Sequence, residues 1–369
     1  MTTPPSLTSA LSARIREAIE AEGGWIGFDR FMAIVLYTPG LGYYANDSRK
    51  FGRMPGSGSD FVTAPELSPR FGQAMARQVA QALEATGTSE VWEFGAGSGA
   101  LALQLLQALG PRLTRYTIVD LSGSLQARQR ELLAGYAGQV RWVSVLPPHM
   151  QGVVVGNEVL DAMPVQLLAR INGVWHERGV AIHKDAFHHA DRPTALRPPV
   201  QVDGNHDYLT EIHPQAEAFV ATLADRLQAG AVFLLDYGFP EQEYYHPQRS
   251  TGTVMCHRGH RADPDAFRDV GEKDITAHVN FSGIALAGQE AGLQVLGYAS
   301  QARFLLNCGV VEGMEDAPLA ERAMVQKLIN EHEMGELFKV IGFAVDSAER
   351  PWDGWQAMGF EAGDRAHTL

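Results

Sequence analysis

The chain has 369 residues, 45% hydrophobic and 20% charged, enough apolar material for a sizeable core in one large or two modest domains. A formal net charge of −13 with no dense Lys/Arg block argues against nucleic acid or an anionic membrane as partner. Two cysteines, Cys256 and Cys308, make neither a disulfide framework nor a zinc ligand set, and the 13 histidines hold no H-E-x-x-H pattern, so no metal site is expected.

The N-terminus has no apolar stretch followed by a small-residue cleavage site, and no apolar run approaches the roughly 18 residues of a membrane span; a cytoplasmic protein is expected. Residues 7–21 read as an amphipathic helix with Leu11, Ile15 and Ile19 on one face, stopped at Gly23-Gly24. A short helix over 28–36 leads into the turn-rich stretch 38–44. The glycine-rich segment 51–58 reads either as a lid or as a solvated linker. Ser68 and Pro69 suit the cap and first position of a helix carrying Phe71, Met75, Val79 and Leu83, which ends at Gly87.

The stretch VWEFGAGSGA (91–100) organises the rest of the chain. Val91, Trp92 and Phe94 end a buried strand, glycines 95, 97 and 99 break it, and Leu101, Leu105, Leu106 and Leu109 continue as helix to Gly110-Pro111. Such a turn lets backbone approach a ligand closely and offers it free helix amides. Two cofactors fit. Gly95, Gly97 and Ala100 satisfy the dinucleotide pattern; read with Glu93 as E-x-G-x-G-x-G, the same residues resemble the first motif of class I S-adenosylmethionine-dependent methyltransferases. Glu93 favours the second reading, because a carboxylate repels a pyrophosphate and attracts a cationic amino-acid end. Being buried, Glu93 needs a polar partner, either the ligand or backbone amides.

The strand RYTIVDL (115–121) brings Asp120 to a strand end 25 residues beyond Gly95, the place for a carboxylate that grips ribose hydroxyls. The alternative is a cap for the helix over 122–133. Strands at 139–143 and 152–155 come next, and GNEVLDAMP (156–164) places Asn157, Glu158 and Asp161 at the carboxyl edge of a parallel sheet. Residues 164–183 form a hairpin turning at Asn172-Gly173, and 188–203 is a polar, Pro-rich loop. A helix over 214–228, a strand at 231–235 ending in Asp236-Tyr237, an irregular stretch, a helix over 281–291, a strand at 293–298, a helix over 318–335 and a strand near 338–344 complete the pattern, with a loose polar tail. Seven strands, the last two antiparallel at one edge, suit a methyltransferase sheet better than a dehydrogenase one.

The blocks GYY (42–44), SDFVTAPELSPRFG (59–72), EFGAGSGAL (93–101), GNEVLDAMPV (156–165), LLDYG (234–238), GTVMCHRGHR (252–261) and DITAHVNF (274–281), in this order, resemble the MidA-like family of S-adenosylmethionine-dependent methyltransferases, related to a mitochondrial complex I assembly factor. The resemblance implies a class I, Rossmann-like α/β fold and methylation of an arginine in a partner protein such as a complex I subunit. Expected organisation is a helical region with a lid loop (1–88), the first half of the core (89–165), an inserted hairpin and loop (166–213), and the second half (214–369) with an acceptor-side insertion near 239–280. The candidates for S-adenosylmethionine are Glu93, Gly95, Gly97, Gly99, Asp120, Asn157 at the adenine edge, and Asp60 from the block at 59–72. Catalysis falls to Glu158 and Asp161, two carboxylates able to hold a guanidinium bidentately. Their alternative duties are capping a turn (Asp161) and pairing with an arginine such as Arg258 or Arg261 (Glu158). Tyr237 and His278 are candidates to shape the acceptor pocket. The competing function is an assembly or chaperone-like protein that keeps a cofactor domain without catalysis.

Overall fold

A computed structural model describes residues 7–46, 62–259, 261–346 and 352–369. Asp60 and the glycine-rich segment 51–58 lie outside the described residues.

The central sheet forms where the sequence alternates strands with helices. Its strands run in the order Leu293–Ser300, Phe338–Val345, Leu227–Phe239, Met150–Asn157, Glu90–Phe94, Arg115–Val119, Val140–Val143. Only Phe338–Val345 is antiparallel to its neighbours; the other interior pairings are parallel, and the two-residue strand Val279–Asn280 adds to Leu227–Phe239. The last two long strands therefore pair antiparallel, as expected, but the final one inserts between its predecessor and Leu227–Phe239. Apolar side chains cover both faces, as a sheet buried on two sides requires. Val91, Val153, Val155 and Phe233 pack with the helices Pro69–Thr86 and Ala100–Leu109. Trp92, Val154, Val232 and Phe343 pack with Pro214–Arg226 and Phe281–Glu290.

Local signals set the helix ends. Ser68 accepts a hydrogen bond from the amide of Arg70, Pro69 occupies the first position, and Gly87 closes the helix with φ +61°. The hairpin between Gln166–Ile171 and Val174–His183 turns at Asn172 (φ +49°) and Gly173 (φ +80°), the two positive values a tight primed turn needs.

A second sheet departs from expectation. Val174–His183 also pairs with Trp25–Gly27 and with Ala186–Pro193, and Tyr208–Ile212 pairs with Gln166–Ile171. The stretch expected to be a loop from 188 is thus strand as far as Pro193. Leu11, Ile15, Phe31, Val35, Val180 and Ile275 form one core between this sheet, the first two helices and a three-stranded sheet of Met255–Arg258, Arg261–Asp263 and Asp274–Thr276. The irregular stretch near 239–280 therefore contains ordered strands.

The C-terminal helix is shorter than its composition suggests, running from Leu319 to Ile329 before the backbone breaks at Glu333. The tail is packed, not loose. Phe360 lies where Cβ atoms on Gly297 or Gly342 would collide with it, and its ring meets Phe304 edge-on at 5.4 Å. Side chains of Gln78, Gln81 and Asn307 bond the backbone of Met358, Gly359 and Ala362.

Candidate active site

The strand Glu90–Phe94 runs directly into three glycines with left-handed backbone: φ is +63° at Gly95, +53° at Gly97 and +86° at Gly99. A Cβ at Gly95 would in addition stand 3.0 Å from Cγ2 of Val159. Gly99 precedes the helix Ala100–Leu109, whose first amides have no carbonyl a turn earlier to bond and border an open cavity. Glu93 is 2% exposed, and its Oε2 accepts a 2.6 Å hydrogen bond from the Tyr116 hydroxyl on the neighbouring strand. Its protein partner is thus a tyrosine, which the expected choice between ligand and backbone amides did not include. Burial pushes Glu93 up to about 7; the Tyr116 bond opposes this and the Asp120 charge adds to it.

Asp120 follows the strand Arg115–Val119 directly. Its Oδ1 accepts from the Ser122 amide at 2.8 Å and its Oδ2 from Nε2 of Gln129 at 2.9 Å. It does not cap the next helix; Ser122 does, accepting from the Leu125 amide. Burial raises the Asp120 carboxyl above the ordinary carboxylate range, against the hydrogen bonds from Ser122 and Gln129.

The opposite wall is acidic. After the strand Met150–Asn157, Glu158 adopts φ +54°, costly for a non-glycine residue, with its amide donating to the Leu235 carbonyl at 2.9 Å. Asn157 donates from Nδ2 to Oε1 of Glu158 at 3.0 Å, while its own Oδ1 is buried with no partner among the described residues. Asp161 accepts from the Tyr237 hydroxyl at Oδ2 (2.5 Å), and its Oδ1 is likewise buried without a partner. Asp236, fully buried, ties this turn down by accepting from the amides of Leu160 (2.8 Å), Asp161 (3.1 Å) and Tyr237 (3.0 Å). Burial raises Glu158 to about 8, helped by the charges of Asp161, Asp274 and Glu66. Asp161 is raised to about 6 by burial, with the Tyr237 bond opposing. Arg258 is engaged elsewhere, with Asp269 and Glu272. Among the described residues no Lys or Arg lies within 4.0 Å of the Glu158 or Asp161 carboxylates.

These groups share one cavity of about 1390 Å³. Glu93, Gly95, Gly97, Asp120, Asn157, Glu158 and Asp161 all line it; Gly99 does not, though its neighbours Ser98 and Ala100 do. Tyr237 and His278 line it too, their rings edge-to-face at 5.2 Å, and Phe338 meets Tyr237 at 5.4 Å. His278 is held down to about 4 by burial and by Arg249 and Lys339, so it stays neutral.

Several further residues shape the site. Tyr37 and Tyr44 stack at 5.8 Å; the first donates to the Ala162 carbonyl and the second to Oδ2 of Asp274, each at 2.7 Å. Glu66 sits in a turn fixed by Gln104, which bonds the Pro65 carbonyl and the Gly72 amide. Tyr44, Glu66, Asp236 and Asp274 all fall inside the motif blocks that carry the family resemblance, and those blocks are the available signal. Gln129 falls in none.

Residues 74–299 match the family model described as "Putative S-adenosyl-L-methionine-dependent methyltransferase". The chain is similar to a COG1565 superfamily member from Burkholderia thailandensis whose crystal structure is bound to S-adenosyl-homocysteine: 51% identity, all of both chains covered, TM-score 0.93. A native structure from the same organism gives 49% identity, full coverage and a TM-score of 0.89. The mitochondrial protein arginine methyltransferase NDUFAF7 of Danio rerio is 27% identical over 90% of this chain and 86% of its own. The Homo sapiens protein of that name is 27% identical over 85% and 79%. With more than half of its length inside the family model, and with the glycine bend and acidic wall facing one cavity, the chain belongs to this family of S-adenosylmethionine-dependent methyltransferases.

Proposed function

We propose that the protein transfers a methyl group to the guanidinium of an arginine in a partner protein, with a respiratory complex I subunit as the acceptor the family resemblance implies. The observation that carries this reading is the pair Glu158 and Asp161, a half-buried and a buried carboxylate with no cationic partner among the described residues, on the same cavity as the glycine bend.

The residues fit S-adenosylmethionine. Three glycines leave a cradle that side chains would fill or strain, Asn157 offers a buried unpartnered Oδ1 to an amino group, and Asp120 stands at a strand end to accept from ribose hydroxyls. When bound, the cofactor supplies an electrophilic methyl on a sulfonium.

The chain supplies alignment and charge. A free guanidinium has a pKa above roughly 12 and its nitrogens share one positive charge. Asp161 offers Oδ1 and Glu158 its second oxygen, which draws positive charge to the nitrogens they hold and leaves the third more nucleophilic. Burial raises both acids, and at Glu158 the charge of Asp161 adds to it; an arriving cation favours their ionised forms. As the new N–C bond forms and the methyl's bond to sulfur would break, the surplus proton leaves the guanidinium nitrogen for a carboxylate oxygen of the pair. The neutral His278 and the Tyr237 ring wall the acceptor side.

The test is tritium-methyl transfer into lysate protein. Wild type labels arginine, while Glu158→Gln with Asp161→Asn loses at least about 100-fold in rate and keeps its affinity for S-adenosylhomocysteine. Undiminished labelling by the double variant ends this reading, and a chain that only holds a partner labels nothing.

A further inference from the structure

We infer that Gln129 is the positioning residue of the cofactor half-site, locking the Asp120 carboxylate and the glycine bend to each other. The inference rests on the reading of Asp120 as the ribose ligand. Gln129 lies on the helix Gly123–Leu132, completely buried, where an apolar residue is the ordinary choice. Its amide is used in full. Nε2 donates to the Gly97 carbonyl at 3.0 Å and to Oδ2 of Asp120 at 2.9 Å, and Oε1 accepts from Nε1 of Trp142 at 2.9 Å.

The assignment of nitrogen and oxygen is forced. An indole N–H only donates, so Oε1 faces Trp142; a carbonyl and a carboxylate accept, so the NH2 group faces Gly97 and Asp120. Trp142 is on the strand Val140–Val143 and is covered by the Arg130 guanidinium 4.7 Å from its ring centroid, which fixes the indole. Gly99 completes the fit: a Cβ there would stand 3.4 Å from Cγ of Gln129. One side chain thus spans three adjacent strand ends and their loops. With Oδ1 held by the Ser122 amide and Oδ2 by Gln129, the Asp120 carboxylate has one orientation.

Two substitutions separate shape from hydrogen bonding at this position. Methionine matches glutamine in length and removes all three bonds. Glutamate keeps the shape and replaces both donated bonds with oxygen facing oxygen, at a carbonyl and at a carboxylate already raised by burial.

Calorimetry with S-adenosylhomocysteine and with its 2′-deoxyribose analogue reads the effect. For Gln129→Met the dissociation constant of S-adenosylhomocysteine rises roughly 10- to 100-fold, the loss of a hydrogen bond to a charged group, and that of the analogue rises far less; Gln129→Glu loses more than Gln129→Met. Trp142→Phe, which removes only the donor that orients the amide, weakens S-adenosylhomocysteine by about 5-fold and serves if the Gln129 variants fail to fold. Equal losses for both ligands, or unchanged affinity in Gln129→Met and Trp142→Phe, overturn the inference. A wild-type protein that does not distinguish the two ligands overturns the Asp120 reading instead.

Discussion

Tyr237→Phe tests the acidic wall with a single atom. The ring stays, still packed edge-on against His278 and Phe338; what goes is the hydroxyl that donates to Oδ2 of Asp161. That bond favours the ionised acid, so its removal raises the Asp161 pKa from about 6. A hydrogen bond to a charged group is worth about 1.5–3 kcal/mol, or roughly one to two pH units. A guanidinium needs both carboxylates ionised: Glu158, near 8, sets the upper part of the acid limb, and the Asp161 step beneath it moves up by about one pH unit or more, so the rate at and below pH 7 falls several-fold and recovers toward pH 9. The assay is the initial rate of tritium transfer into lysate protein, with the methyl donor saturating and the lysate limiting, so that the limb reports the free enzyme. An acid limb that stays in place, with the fold and cofactor affinity intact, refutes the assignment of Asp161 to the acceptor.

Two further outcomes concern the cofactor side. Asp120→Ala weakens S-adenosylhomocysteine by about 3 kcal/mol, over 100-fold, measured by calorimetry; unchanged affinity removes Asp120 from the ribose. Glu93 carries a proton in the folded state up to about 7 and in the unfolded chain only to about 4.5, so its contribution to stability is complete below the unfolded value and is lost as pH rises through the folded one. Glu93→Gln keeps an acceptor for the Tyr116 hydroxyl and removes that loss. Urea unfolding therefore shows the variant gaining about 3 kcal/mol on wild type between pH 4.5 and pH 8, and a constant difference across that range contradicts the burial of Glu93 as a protonated acid.

The central sheet was readable because its signals are local. Glycine bends, Ser68-Pro69, Gly87 and apolar strand runs each act within a few residues, and the order of strands and helices then leaves few topologies. The second sheet was readable only at its hairpin of Gln166–Ile171 and Val174–His183. Trp25–Gly27 is three residues long and exists only because Gly179–Ala181 pairs with it from over 150 residues away. Tyr208–Ile212 hides a fully buried Glu211, satisfied by the Tyr244 hydroxyl and the amides of Thr253 and Val254, none of which its own neighbourhood announces. The polar tail looked loose for the same reason: its partners, Gln78, Gln81 and Asn307, come from distant helices.

At the site, the residues lining the glycine-bend side of the cavity could be named from the sequence, since strand end, glycine turn and a spaced acid form a pattern along the chain. Glu158 and Asp161 could be placed on the same cavity by their position at a strand's carboxyl end. What sequence alone did not yield is how they are held. The Asp236 carboxylate bonds amides 75 and 76 residues away, and the Tyr44 hydroxyl reaches Asp274 over 230. Such polar contacts are specified by three-dimensional packing, and no periodicity reports them.

Mass spectrometry of arginine methylation, in cells with the chain, without it, and with Glu158→Gln and Asp161→Asn together, reaches the central claim most directly. At least one arginine-containing peptide carries methyl groups with the wild-type chain and loses them in both other cells. An identical set of methylated arginines in all three contradicts the account.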